Sequence, residues 1–123
     1  MKKFMLVVLS LALVVGYAAP SVFAAEQYKI GVLAPAVTHG WVAAVAYEAE
    51  SRLKELGDAV SYRIQTSTNA EEMTAQLDDL MTWGAQAIVA FPQWEGMEVP
   101  MERALDAGIV IVNFDIVIDL EGI

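Results

Sequence analysis

The sequence predicts an α/β fold built on an open, doubly wound parallel sheet. Three observations carry this expectation. Four short segments of strand character begin near Tyr28, Ala59, Ala87 and Ile109. Three longer segments between them repeat apolar residues at helical spacing. Ala87-Ile88-Val89-Ala90-Phe91 and Ile109-Val110-Ile111-Val112-Asn113-Phe114 are almost unbroken apolar runs, the pattern of parallel strands buried on both faces. The resulting order, β-α-β-α-β-α-β with right-handed crossovers, places helices on both sides of one sheet.

The first strand is expected over Tyr28-Lys29-Ile30-Gly31-Val32-Leu33-Ala34. A helix follows from Gly40 to Leu56, where Val42, Val45, Ala46, Ala49, Leu53 and Leu56 form an inward stripe. Its outer face offers two i, i+4 pairs, Glu48 with Arg52 and Glu50 with Lys54, and Gly57 stops it. The second strand, Ala59 to Thr66, alternates with more polar residues and so belongs nearer an edge. Asn69-Ala70-Glu71-Glu72 reads as an N-cap with a glutamate three residues on. The helix it opens is expected to bury Met73, Leu77, Leu80 and Met81 and to close at Gly84. A third helix is placed from about Met97 to Ala107, ending at Gly108, with Pro100 tolerated in its first turn.

Before this unit stands Met1-Lys2-Lys3, an apolar run from Phe4 to Val15, then Gly16, Pro20 and Val22-Phe23-Ala24. A basic start, a core of about a dozen apolar residues and small side chains before the cut describe a cleaved export leader. A membrane span, the alternative, needs about 20 apolar residues. Cleavage after Ala24 divides the chain into a signal peptide, residues 1–24, and a mature part, residues 25–123. With no cysteine to carry a lipid, a soluble periplasmic product in the cell envelope is expected. The leader holds two of the 7 basic side chains and none of the 16 acidic ones, so the mature part has 99 residues and a formal charge of -11. That charge has the wrong sign for neutralising nucleic-acid phosphates. A chain without cysteine and with one histidine has no disulfide framework or thiolate metal site, and no metal or cofactor is expected.

In a doubly wound sheet ligands lie beyond the carboxyl ends of the strands, so the loops after Ala34, Thr66, Phe91 and Phe114 are the places to look. The first is Pro35-Ala36-Val37-Thr38-His39-Gly40-Trp41. It combines a hydroxyl, an imidazole, an indole and the free N–H groups of a helix start. An indole face stacks on the C–H face of a sugar ring and an imidazole exchanges hydrogen bonds with hydroxyls, which suits a neutral polyhydroxylated ligand. The structural alternative makes Trp41 the first core residue of the helix and Thr38 its cap. The loop lacks both glycine-rich phosphate-binding patterns. After the third strand come Gln93 and Trp94, for which surface-loop and ligand-contact roles stay equally open. Asn113 and Asp115 end the fourth strand. A carboxylate placed there requires donors, and two adjacent hydroxyls can supply them to both oxygens. The alternative for Asp115 is an exposed loop or cap.

The leader, Lys29-Ile30-Gly31-Val32-Leu33, Thr38-His39-Gly40-Trp41, Asn69 opening the second helix, Ala85-Gln86-Ala87-Ile88-Val89 and the segment from Ala104 to Asp115 together resemble the ribose-type periplasmic sugar-binding proteins of ABC transporters. The resemblance covers nearly all of residues 27–115. It implies a type 1 periplasmic binding fold, in which two α/β lobes close on a monosaccharide and the closed form docks on a membrane permease. It also implies ligand contacts by His39, Trp41 and Asp115. An arginine follows that aspartate in several members, whereas Ile116 stands here. Family chains are longer, so the sequence is expected to be the incomplete N-terminal lobe, without the fifth strand, the hinge or the second lobe. Alone, it is expected to be poorly stable.

The function that follows is periplasmic binding of a monosaccharide or related polyol, with a permease as partner, and not catalysis. Alternatives are a ligand-sensing lobe that engages a chemoreceptor, or a small exported α/β hydrolase. The hydrolase lacks a nucleophile elbow and a local Ser/His/Asp set.

Overall fold

The computed structural model describes residues 26–36 and 40–123. The expected leader, and Thr38 and His39 of the first loop, lie outside the described residues. The elements are β1 (Tyr28–Pro35), α1 (Gly40–Glu55), a 3-10 turn (Gly57–Ala59), β2 (Val60–Ser67), α2 (Ala70–Trp83), β3 (Ala87–Ala90), α3 (Glu98–Asp106) and β4 (Val110–Asn113). All strands pair in parallel in the order β2-β1-β3-β4. Tyr28 lies opposite Val60, Ile30 opposite Ala87 and Ala87 opposite Val110, which aligns the carboxyl ends of the strands at one end of the sheet. This is the doubly wound α/β sheet the sequence predicts.

The two faces of the sheet are covered unequally. Leu33, Ile88, Ala90 and Ile111 point to the face where α2 and α3 bring Met73, Leu77, Leu80, Met101 and Ala104, and all of these are buried. The opposite face holds a smaller cluster, Val32 and Val60 beneath Leu53 of α1. Because α1 lies over β1 and β2, its expected stripe is only partly enclosed. Leu53 is the one fully buried residue of that helix, Val42, Val45, Ala46 and Ala49 are half-buried, and Leu56 is exposed. For the same reason β4 departs from the expectation of a strand buried on both faces. Ile111 is buried under α3, whereas Val110 and Val112, which point to the α1 side, are 61% and 53% exposed.

Local chemistry sets the ends of α2. The Asn69 side chain accepts a hydrogen bond from the backbone N–H of Glu72 at 2.8 Å, as its sequence position predicts. The return contact differs from the simplest capping box. The Glu72 carboxylate reaches one residue further back and accepts from the N–H and hydroxyl of Thr68, at 2.6 and 2.8 Å. These two donors hold its pKa below the ordinary carboxylate value. At the other end Gly84 adopts φ 84, and its N–H and that of Ala85 return to the last carbonyls of the helix. Met81, expected to be buried, is half-buried at the rim of the core.

The expected Glu48–Arg52 pair does not form, because Arg52 turns toward the helix end and bonds Glu55 at 2.8 Å; Glu50–Lys54 forms at 2.8 Å. Both pairs are exposed and contribute little. A more specific contact joins α2 to the amino end of the sheet. Lys29 Nζ donates to the Trp83 carbonyl at 2.9 Å, and the Trp83 ring has Arg63 at 4.6 Å and Lys29 Nζ at 5.5 Å from its centroid.

Gly31 controls how closely α2 approaches the sheet. A Cβ at that position would meet Leu80 Cδ1 at 2.6 Å, and Leu80 is completely buried. Gly31→Ala is therefore expected to destabilise the protein by about 1–2 kcal/mol through overpacking against Leu80, read as a lower denaturant midpoint. The depressed pKa of Glu72 gives a second expectation. Its contribution to stability is complete above the unfolded value of about 4.3 and disappears as pH falls through the lower folded value. Glu72→Gln should flatten the decline in thermal midpoint below about pH 4.3; an unchanged decline would show that other acids dominate.

Candidate ligand-binding site

Strand order reverses between β1 and β3: the chain moves from β1 to β2 on one side and from β3 to β4 on the other. Doubly wound sheets bind ligands at such a reversal, beyond the carboxyl ends, where the loops diverge to opposite sides. The backbone carries its regularity slightly past the strands into this region. Phe91 N–H donates to the Leu33 carbonyl at 2.9 Å, and Phe114 N–H to the Ala90 carbonyl at 3.2 Å. Side chains alternate across a strand, so Phe91, next after inward-facing Ala90, turns to the face where α1 begins.

There Phe91 meets two aromatic rings. Its centroid is 4.6 Å from that of Phe114, with the planes 22° apart, and 5.2 Å from that of Trp41, tilted by 50°. Phe91 is 1% exposed and supports the group, while Trp41, the second residue of α1, is 56% exposed. Trp41 is thus neither a buried core residue nor an isolated surface ring. It is the open end of an aromatic row that crosses the reversal point. Such faces offer stacking surface for C–H-rich rings.

Asp115 stands beside this row. It is exposed and has φ 74, the only non-glycine residue with positive φ among those described. Gln93 reaches across from the loop after β3 and donates its side-chain amide to Asp115 Oδ2 at 2.7 Å and to its neighbour's carbonyl, Pro92 O, at 3.1 Å. Two loops 22 residues apart are therefore tied through one carboxylate oxygen. The other oxygen has no protein donor among the described contacts, so the carboxylate is oriented with acceptor capacity remaining.

The other expected residues are used differently. Asn113 accepts the Ile118 N–H on Oδ1 at 3.1 Å and directs its amide to the Ala90 carbonyl at 3.5 Å, which turns the segment after β4 back onto the core. Trp94 is half-buried and packs against the α2–α3 core, away from the aromatic row. Ile116, which follows Asp115, is 42% exposed. Thr38 and His39 lie outside the described residues. Phe91 and Phe114 were missing from the expected contacts, although the signal was available: each is the first residue after a short apolar strand, where alternation returns the side chain to the α1 side.

A depression of about 890 Å³ lies at the amino ends of the strands, near Gln27, Lys29, Asp58 and Gln86. Two of its lining side chains tie main-chain groups together: the Gln27 side-chain amide donates to the Asp58 main-chain carbonyl, and Gln86 Oε1 accepts the Lys29 main-chain N–H. Its lining residues include no aromatic face on which a ring could stack. Among the described residues no group of acidic or histidine side chains is arranged to hold a metal ion, and no helix is long and apolar enough to cross a membrane.

No curated protein matches the sequence. A family model does, that of the periplasmic binding protein domain, over residues 30–121. The match runs from β1 through the segment after β4 and includes the aromatic row, Gln93 and Asp115. With the parallel sheet and its strand order, that match establishes that the chain belongs to the periplasmic binding protein domain family, whose role is the binding of solutes.

Proposed function

We propose that the protein is a periplasmic receptor for a monosaccharide or related polyol and acts as the solute-binding component of an ABC-type transporter. The observation that carries this reading is the placement of an oriented carboxylate, Asp115, beside the Trp41–Phe91–Phe114 row at the reversal point of the sheet. A sugar ring presents a C–H face and a rim of hydroxyls, and this site offers a counterpart to each.

Trp41 supplies the stacking surface, and Phe91 and Phe114 hold its height from below. Asp115 accepts hydroxyl protons on the oxygen that Gln93 leaves open. Gln93 fixes the carboxylate so that less orientational freedom is lost on binding. Its own Oε1 remains an acceptor for a further hydroxyl. Thr38 and His39, immediately before α1, add polar contacts from the first loop in this reading. Asn113 shapes the backbone under Asp115, and Trp94 braces the loop that carries Gln93. No bond is made or broken; occupancy is the output, passed to an inner-membrane permease. The export leader read over residues 1–24 supports the compartment.

Calorimetric titration of the full-length protein with a panel of monosaccharides and polyols tests the reading. At least one should bind with a measurable Kd. Asp115→Ala removes a charge-assisted hydrogen bond worth about 1.5–3 kcal/mol and should weaken binding by roughly ten- to a hundredfold. Trp41→Ala should weaken it by a smaller factor, and Gln93→Leu should do so without altering the fold. Unchanged affinity in Asp115→Ala would remove this site from consideration, and the absence of binding across the panel would remove the sugar reading itself.

A further inference from the structure

The basic side chains of the described residues gather at one end of the sheet, whereas acids stand at both ends, with Glu26, Glu55, Asp58 and Asp106 at the amino end. All five basic side chains of the described residues lie toward the amino end of the sheet. Lys29 is at the start of β1, Arg52 and Lys54 are in the last turn of α1, Arg103 is in the last turn of α3, and Arg63 rests on Trp83 at the end of α2. The carboxyl end has no cation among the described residues. It has Glu71 and Glu72 in the first turn of α2, Glu98 in the first turn of α3, Glu95 in the loop after β3, and Asp115.

Helix dipoles account for part of this. They favour acids in first turns, where α2 and α3 carry them, and bases in last turns, where α1 and α3 carry them. They do not account for Asp115, which belongs to no helix and has an amide, not a cation, as its partner. Gln93 satisfies one oxygen and orients the carboxylate but leaves its full negative charge. On the other side stands Ile116, half open to solvent and apolar. The aromatic row beside Asp115 presents π faces, which also attract positive charge. Two features of this end thus favour a cation: an oriented carboxylate with no cation beside it among the described residues, and an aromatic row next to it.

Resting on the sugar reading above, we infer that the ligand is an amine-bearing sugar or polyol, whose ammonium group binds Asp115 while its ring stacks on Trp41, and that anionic sugars are rejected. An ammonium brings three donors and the missing charge to the single open oxygen, whereas a neutral diol brings donors only. A uronate or sugar phosphate would meet acids without a counter-ion and be excluded by like-charge repulsion.

The test compares matched probes on the full-length protein at pH 7: glucose, galactose and mannose, each as the neutral sugar, the 2-amino-2-deoxy sugar and the uronate. On the best scaffold the amino sugar should bind at least about fivefold more tightly than its neutral parent, and the advantage should shrink as salt is raised from about 20 to 200 mM. The uronate should be the weakest of the three. Asp115→Asn, which keeps the shape and the hydrogen bond from Gln93, should bring the amino and neutral sugars to similar affinity. Neutral sugar or uronate binding as tightly as the amino sugar on every scaffold overturns the inference and leaves the sugar reading standing. An amine preference that survives Asp115→Asn also overturns it. If none of the nine probes binds and the wider panel is equally silent, the sugar reading fails and the inference falls with it.

Discussion

The contact between Leu80 and Gly31 is the constraint on which the rest of the structure depends. β1 is a central strand paired on both sides, and α2 can reach it only because one position lacks a side chain. That approach buries Leu80 completely and sets Met73 and Leu77, on the same helix face, against the sheet. Complete burial of a leucine side chain contributes about 1.5–3 kcal/mol. The larger effect is geometric. With α2 docked, Gly84 and Ala85 close the helix in the position that leads directly into β3 beside β1.

The two ends of the sheet are built for different purposes from the same kinds of residue. At the amino end Trp83 is enclosed: Lys29 and Arg63 lie against its ring, and Lys29 also caps the last carbonyl of α2. Gln27 and Gln86 bond main-chain groups of Asp58 and Lys29 there and tie the start of β1 to its neighbours. At the carboxyl end Trp41 is open, its ring supported on one side by Phe91, and Asp115 has one oxygen engaged and one available. An aromatic ring between two cations holds the fold together; an aromatic ring beside a carboxylate with unused capacity is arranged to receive something. An exposed aromatic face beside the carboxylate, not concavity, separates the two.

The fold was legible in the sequence because its signals are local. Strand runs, helical spacing, Asn69 and the glycines after each helix act within a few residues of one another, and each appears where expected. The departures occur where coverage depends on distant elements. Val110 and Val112 carry the same apolar character as Ile111, and nothing in their own segment shows that α1 stops over β1 and β2 and leaves them exposed. Glu48 and Arg52 have favourable spacing, but Glu55 is as near and the exposed guanidinium turns to it. On the site, the sequence singled out Trp41, Gln93 and Asp115 one loop at a time. It did not link them.

By itself, then, the sequence determined the element order, the parallel α/β class, the caps of α2 and the loops at the carboxyl ends of the strands, since periodicity and turn chemistry act over short distances. It also carried the pattern of the periplasmic binding protein domain, which the family match bears out. Only the tertiary structure decided that Phe91 and Phe114 join Trp41 in one row, that Gln93 holds one oxygen of Asp115, and that all cations of the described residues lie at the opposite end. Those relations join residues more than 20 positions apart, and their geometry is set by strand register and by the depth at which Leu80 seats over Gly31.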